Sequence, residues 1–522
     1  MVLGGGVFGG CLLYGLCVLG LYAGFRARGA RASYLPKIVL MAVVILPVGL
    51  LVGAALRWLM TRIGVLPILS APMSVLAVPL LGFWLAGRDM AGRNRLSVQR
   101  GTRLVSLGLS PSVRSIGQQL TLAGQAVAFE SETKHFKILG TTGTGKSTAI
   151  RELLDGALHR GDRAVFADPD GGYLRDFYNA DRGDVILNPF DQRSLCWDLY
   201  AELCAPYDYD QMARSLIPEA GSGDQQWNQY ARVFFSALLA RTHEGGLRDL
   251  QELLRLCRSA PIEELTVLLE GSMAQPFLQS GNERMFASVR TVLVSVLAPL
   301  AYIHQQNARG FSIRRFVRDG RGVLFLPYQA DQIASLRSLI STWMRLAIFE
   351  AMSAGEADHR LWFVVDELDA LGPIEGLKDA LARLRKFGGR CVLGFQSIAQ
   401  VSATYGHHAA QTIVENCGNS LILRCSASEQ GGTARFAARL IGEREVIREQ
   451  VSKSRPMGWL KGAHRSESRT LQRSVEPAVL PSELEQLPDL VGYLKLASTP
   501  EWTLVRCQTP STHRASVQDP LA

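Results

Sequence analysis

The chain predicts an α/β fold: a largely parallel sheet around a phosphate-binding loop, interrupted by an all-α domain and preceded by an N-terminal transmembrane helical region. Three observations carry that expectation. Residues 140–147 read Gly-Thr-Thr-Gly-Thr-Gly-Lys-Ser, short apolar runs alternate with helical stretches on either side of them, and long uncharged runs open the chain. The length of 522 residues leaves room for two or three domains of about 150 residues, each with its own core.

The first elements are the uncharged runs 2–25, 38–56 and 63–87. Each is near the roughly 20 residues that cross a bilayer, so residues 1–87 read as an anchor of two or three helices, the first run being Gly-rich. Residues 1–10 contain no Lys or Arg, which argues against a cleaved signal peptide. Arg26, Arg28, Arg31 and Lys37 lie between runs one and two, Arg57 and Arg62 between two and three, and Arg88, Arg93, Arg95, Arg100 and Arg103 follow the third. The positive-inside rule then places the following chain in the cytoplasm.

The formal charge of +9 invites a nucleic-acid reading, yet residues 1–110 hold eleven Lys or Arg against the single acid Asp89. The rest is close to neutral, so the basic balance reports topology, and any DNA contact rests on local patches. Nine cysteines are scattered without a C-x-x-C pair, which fits buried thiols better than zinc or disulfides.

After a mixed connector at 88–130, strand candidates recur at His135–Leu139, Arg163–Ala167, Asp184–Leu187, Gly322–Leu326, Leu361–Val365, Arg390–Phe395 and Ser420–Arg424. Apolar runs of this kind are buried on both faces of a parallel sheet covered by helices. The nucleotide-binding domain is expected over 131–199 and 308–522. Residues 200–307 break the rhythm with helical spacing, as in Tyr230, Phe234, Leu238 and Leu239, and read as an all-α domain inserted between strands.

The chemistry starts at the loop. Gly140, Gly143 and Gly145 let backbone N–H groups approach phosphate oxygens, with Thr141, Thr142, Thr144 and Thr148 completing the cradle and the helix start. Lys146 supplies an ammonium for the β- and γ-phosphates, and Ser147 a hydroxyl for Mg2+. A second half-site is expected at the end of a buried strand: Asp366 as metal carboxylate and Glu367 as general base, although both also suit a helix cap. Gln396, ending the next strand, is placed to sense the γ-phosphate.

Between those strands Leu377, Ala380, Leu381 and Leu384 form an apolar helical face, leaving Arg383, Arg385, Lys386 and Arg390 to project elsewhere. Arg385 is the first choice for a finger reaching a neighbouring subunit, against the plainer reading of a solvated face. Asp168 suits either the metal or a turn. The tract Lys453, Arg455, Lys461, His464, Arg465, Arg469 and Arg473, with Trp459 inside it, is a candidate DNA patch or simply a solvated loop.

With these residues in order, the chain resembles the type IV secretion coupling proteins, the TraD/TrwB-like hexameric ATPases of bacterial conjugation. The likeness runs through residues 140–147, Arg160-Gly161-Asp162-Arg163 before Asp168-Pro169, Asn188-Pro189-Phe190-Asp191 before Trp197, and Phe311-Ser312-Ile313-Arg314. It continues through Val365-Asp366-Glu367-Leu368, Arg385-Lys386, Gln396-Ser397 and Leu487-Pro488-Asp489-Leu490. The resemblance implies an inner-membrane anchor, a RecA-like P-loop NTPase domain with an inserted all-α domain, and a homo-hexameric ring using ATP and Mg2+. It also implies DNA-stimulated hydrolysis, sequence-independent contact with single- or double-stranded DNA, and delivery of a relaxase-bound strand to the secretion channel proteins. Members commonly have two membrane helices, so the third apolar run is a departure, and docking through a long acidic tail is not expected. The alternative reading is a membrane receptor that recruits protein substrates, with ATP as an assembly switch.

Overall fold

The structure is a computed structural model that describes residues 97–106, 119–217, 225–304, 310–353, 360–427, 432–454 and 466–508, with isolated positions between 15 and 62. The expected anchor at 1–87 lies outside the described residues apart from those positions. Among the described residues no helix is long and apolar enough to cross a membrane. The chain divides into two compact units, one of Met1–Gly101 with Arg444–Glu476, the other of Thr102–Glu443 with Pro477–Ala522.

The larger unit is built on a ten-stranded sheet. In chain order its strands are β1 (Leu104–Ser106), β2 (Phe136–Leu139), β3 (Arg163–Pro169), β4 (Val185–Ile186), β5 (Val323–Tyr328), β6 (Leu361–Val365), β7 (Gly389–Phe395), β8 (Asn419–Ile422), β9 (Val491–Lys495) and β10 (Trp502–Arg506). Across the sheet they run β1-β10-β9-β8-β2-β7-β6-β3-β5-β4. From β8 to β4 every neighbouring pair is parallel, while β9 is antiparallel to both β8 and β10.

The central strands are buried at every position, because both faces are covered. Their side chains still alternate. Val165, Ala167, Leu324, Leu326, Phe363 and Val365 enter one core, and Phe166, Phe325, Trp362, Val364 and Val392 enter the other. Onto the second face packs α1 (Lys146–His159), whose Ala149, Ile150, Leu153, Leu154 and Ala157 recur at helical spacing and are fully buried, followed by the short α2 (Gly172–Phe177). The first face carries helix Ile333–Ser353.

Between Trp197 and Gly310 the described chain is helical: Tyr207–Leu216, Gln225–Glu244, Leu250–Arg258, Ile262–Leu268, Glu283–Val296 and Leu300–His304, with short 3-10 turns. A two-stranded parallel pairing of Cys196–Trp197 with Gly310–Phe311 closes its neck. Buried Glu202 fastens that neck, accepting from Trp197 Nε1 at 3.0 Å, Ile313 N at 2.6 Å and Arg314 N at 3.1 Å. The guanidinium of Arg314 in turn donates to Asp208 at 2.5 Å. Ser312 caps helix Ile313–Asp319 by accepting from Arg315 N. The run Phe311-Ser312-Ile313-Arg314 is thus a structural clasp.

The smaller unit contains a three-stranded sheet of Ser97–Gly101, Glu443–Ser454 and Ser466–Pro477, in which the first two are antiparallel. Arg444 and Arg448 both bond Glu476 there. This differs from the expected single domain over 308–522 and from the loop reading of the basic tract. Lys453, Arg469 and Arg473 lie on strands, whereas Arg455, Trp459, Lys461, His464 and Arg465 fall outside the described residues. The strands escaped sequence reading because their polar, charged composition has no apolar run to mark it.

Candidate nucleotide site

β2 ends at Leu139, and the loop that follows is bonded at once to the ends of both neighbouring strands. Gly140 N donates to Phe395 O at 3.1 Å, and Thr141 N donates to Arg424 O at 2.9 Å. Thr144 Oγ1 donates back to Thr141 O at 2.7 Å. Gly143 and Gly145 have φ of 77° and 112°, the left-handed region that favours glycine. A Cβ at Gly145 would also meet Leu490 Cδ2 at 2.8 Å. Leu490 itself donates its N–H to Thr144 O at 2.9 Å, so the Leu-Pro-Asp-Leu run clamps the loop.

Lys146 and Ser147 open the first turn of α1, where helix dipole and loop amides favour an anion. Lys146 Nζ donates to Gly140 O at 2.8 Å and Thr141 O at 3.2 Å. Burial lowers its pKa, against the opposing pull of Asp366, Glu367 and Asp369. Ser147 Oγ donates to Asp366 Oδ2 at 2.6 Å, and Tyr173 Oη donates to the same oxygen at 2.8 Å. Asp366 Oδ1 is buried with no hydrogen-bond partner. An orphaned carboxylate oxygen beside a serine hydroxyl is the hard oxygen donor set that suits Mg2+.

Glu367 follows at the mouth of the cleft, half-buried. Burial raises its carboxyl above the ordinary range, Asp366, Asp369 and Asp170 add to the rise, and Lys146 opposes it. Gln396 reaches the loop, its Oε1 accepting from Thr142 Oγ1 at 3.0 Å. Strand order explains the meeting: β7 lies between β2 and β6, so Gln396 emerges between the loop and the two acids. The close approach needs Gly394, where a Cβ would fall 2.0 Å from Asp366 O.

These residues line one cleft of about 500 Å³ together with Thr148, Arg151, Leu490 and a wall of Pro169, Asp170, Gly172, Tyr173 and Arg175. That wall is what sequence reading missed. Asp168 does not enter the cleft; it accepts the N–H groups of Tyr173 at 3.0 Å and Leu174 at 2.7 Å, fixing the start of α2. Burial pushes the Asp168 carboxyl up to about 7, against the pull of those N–H groups and of Arg151. The turn reading is the one the geometry supports, and its product is Tyr173 on Asp366. A left-handed Asp170 at φ 57° beside Gly171 at 62° makes the turn, and Asp-Gly-Gly was the signal for it.

Arg385 is exposed in the short turn Arg385–Phe387, four residues before β7 begins, whereas Gln396 follows the strand's end. A seven-residue strand spans about 20 Å and β7 runs parallel to its neighbour β2, so Arg385 and the phosphate loop of the same chain lie at opposite ends of these strands. Arg383 and Lys386 are likewise exposed. Arg390, expected to project away from the core, is instead fully buried: Nε donates to Glu132 at 3.0 Å and its guanidinium lies 5.8 Å from the Trp362 ring. Arg160 and Asp162 share that network, so the Arg-Gly-Asp-Arg run is structural.

Residues 119–506 match the family model described as the type IV secretion-system coupling protein DNA-binding domain. The coupling protein TraD of Escherichia coli (strain K12) is 30% identical over 425 residues, 79% of this chain and 58% of that protein. A conjugal transfer protein TraG of Escherichia coli is 23% identical over 344 residues, 59% of this chain and 52% of its own. The chain therefore spans about half the length of the curated relatives it matches. Among solved structures, the plasmid coupling protein TrwB in complex with ADP and Mg2+ superposes with a TM-score of 0.71 at 31% identity, over 82% of this chain and 98% of that one. The unbound monoclinic form of TrwBdeltaN70 gives 0.70 at 32%, over 80% and 96%. With the parallel sheet, the loop and its facing acids already in place, these likenesses settle the kinship: the chain belongs to the type IV secretion-system coupling proteins.

Proposed function

We propose that this protein is a membrane-anchored ring ATPase that couples a relaxase–DNA complex to a type IV secretion channel and drives DNA transfer in conjugation. The observation that carries the reading is the convergence of Lys146, Ser147, Asp366, Glu367 and Gln396 on one cleft at the ends of three neighbouring parallel strands. The substrate is ATP. Residues 140–148 cradle its phosphates, with Lys146 exchanging its two loop carbonyls for the β- and γ-phosphate oxygens. Ser147 and Asp366 hold Mg2+, which when bound neutralises phosphate charge. Similarity to TrwB, solved with ADP and Mg2+, supports both.

Water attacks the γ-phosphorus, the bond to the bridging oxygen breaks to leave ADP and phosphate, and the water's proton passes to Glu367. The raised proton affinity of the Glu367 carboxyl suits a base that must accept and later release that proton. Gln396, tied to Thr142, orients the water and reports the γ-phosphate to the loop. Arg385 completes the site of the next subunit in a homo-hexamer, a reading supported by its exposure at the end of β7 away from the phosphate loop of its own chain.

Residues 1–87 anchor the ring in the bacterial inner membrane with the ATPase in the cytoplasm. The domains are the anchor, a connector at 88–130, the nucleotide-binding domain at 131–199 and 308–522 less residues 444–476 of the smaller unit, and the all-α domain at 200–307. DNA, single- or double-stranded, is held through phosphates by a few cations per subunit repeated round the ring, which the near-neutral part of the chain after residue 110 can supply. The test is the ATPase rate of the full-length protein in detergent with and without DNA, paired with a mass measurement of the assembly. Stimulation by DNA in the assembled form is expected; turnover indifferent to DNA in intact rings would favour the protein-recruiting receptor instead.

A further inference from the structure

Asp366 is held by more than the phosphate loop, and the second hold comes from Tyr173, which no motif marked. Its hydroxyl donates to Asp366 Oδ2 at 2.8 Å, the oxygen that also accepts from Ser147 at 2.6 Å. Both bonds fall on one carboxylate oxygen, which fixes the plane of the group and leaves Oδ1 buried and without a hydrogen-bond partner. On the reading of the cleft as an ATP site, Ser147 turns its hydroxyl to the cation when nucleotide binds. Tyr173 is then the remaining donor to Oδ2.

The phenol is held for that task. Its ring is 1% exposed and stacks on Phe166 at 5.3 Å and on Phe177 at 6.5 Å. The Arg151 guanidinium sits 5.1 Å over the ring, itself bonded to Asp176 at 2.6 Å. The main-chain N–H of Tyr173 is bonded to Asp168 at 3.0 Å, so backbone, ring and hydroxyl are each fixed by a different partner. A side chain locked in this way keeps a carboxylate oriented without spending the site's own hydroxyl.

We infer that Tyr173 is a positioning residue for divalent-cation binding: its hydroxyl orients Asp366 so that the free carboxylate oxygen is presented to the Mg2+ that accompanies ATP. This rests on the proposed ATP site, and the experiment separates the two. Binding of a fluorescent ADP analogue to the full-length protein is measured across a Mg2+ titration and in excess chelator, for wild type, Tyr173→Phe, Asp366→Asn and the double variant. Tyr173→Phe keeps the ring and its packing. It is expected to raise the half-saturating Mg2+ about tenfold, as loss of an outer-sphere partner typically does, while affinity in chelator is unchanged. Added to Asp366→Asn, the same change is expected to do nothing further, because the group it positions is gone. An unaltered Mg2+ titration in Tyr173→Phe, or an equal loss of affinity with and without Mg2+, would overturn the inference and leave Tyr173 a packing residue. If Asp366→Asn itself leaves the Mg2+ dependence intact, the reading of the cleft fails and takes the inference with it.

Discussion

Lys146 bonds two carbonyls of its own loop and contributes nothing to either apolar core, so its loss should be felt in chemistry and not in folding. Lys146→Ala is expected to abolish ATP hydrolysis with the thermal midpoint nearly unchanged; wild-type-like turnover would refute the assignment. Glu367→Gln keeps shape and hydrogen bonding but cannot take a proton. It should bind ATP normally and lose about 10²–10⁴-fold in turnover, measured side by side by equilibrium binding and steady-state rate. His135 gives a test at acid pH. Its Nε2 donates to Leu381 O at 2.9 Å and its Nδ1 accepts from Cys391 N at 3.1 Å, which defines a neutral ring. Burial pushes its pKa down to about 4, with Leu381 O opposing and Arg385 and Arg390 pushing it further down. The folded-state value lies below the unfolded 6.5, so the stability it contributes is present above about 6.5 and is lost as pH falls towards 4, with a slope of up to about 1.4 kcal/mol per pH unit. His135→Asn, chosen because asparagine tolerates the φ of 56°, should be less stable at neutral pH and show a flatter loss across that interval in chemical unfolding.

At the scale of elements, the site depends on how closely β7 approaches the turn after β6. Leu368 N donates to Gly394 O at 3.2 Å, and Asp366 O occupies the space a side chain at 394 would need. Gly394→Ala must move one of the two segments, and neither is a flexible side-chain end. About 1–3 kcal/mol of stability should be lost, with a drop in hydrolysis out of proportion to it because Asp366 and Gln396 shift together. Unfolding curves and turnover on one preparation decide this: normal turnover would mean that the two strands separate without disturbing the acids. The insertion neck behaves differently, since Glu202 joins Trp197, Ile313 and Arg314, none of which lines the cleft.

For the whole molecule, the question is why Arg385 stands at the opposite end of the central strands from its own phosphate loop. In the proposed head-to-tail ring that face of one subunit would meet the next subunit's cleft. Arg385→Ala and Lys146→Ala should each be inactive alone. Mixed, they should recover part of the wild-type rate, since some interfaces then pair an intact cleft with an intact arginine. Absence of recovery in assemblies shown to contain both variants, or normal turnover by Arg385→Ala alone, would remove the trans role.

The parts whose chemistry is local could be read from the chain alone. Seven strands were legible as short, largely apolar runs, and Gly140 to Ser147 as a loop whose glycines admit phosphates, because those patterns need no partner to be recognised. The polar strands Glu443–Ser454 and Ser466–Pro477 were not legible, nor was the buried state of Arg390, since each is stabilised by residues distant in the chain such as Glu476 or Glu132. Tertiary structure alone decided strand order. Placing β7 between β2 and β6 gathers Thr142, Gln396 and Asp366 at one end of the sheet, and the pairing that does so is set by packing across more than 200 residues of sequence. It also decided that Tyr173 meets Asp366, a contact between the start of α2 and a strand end that no spacing rule along the chain encodes.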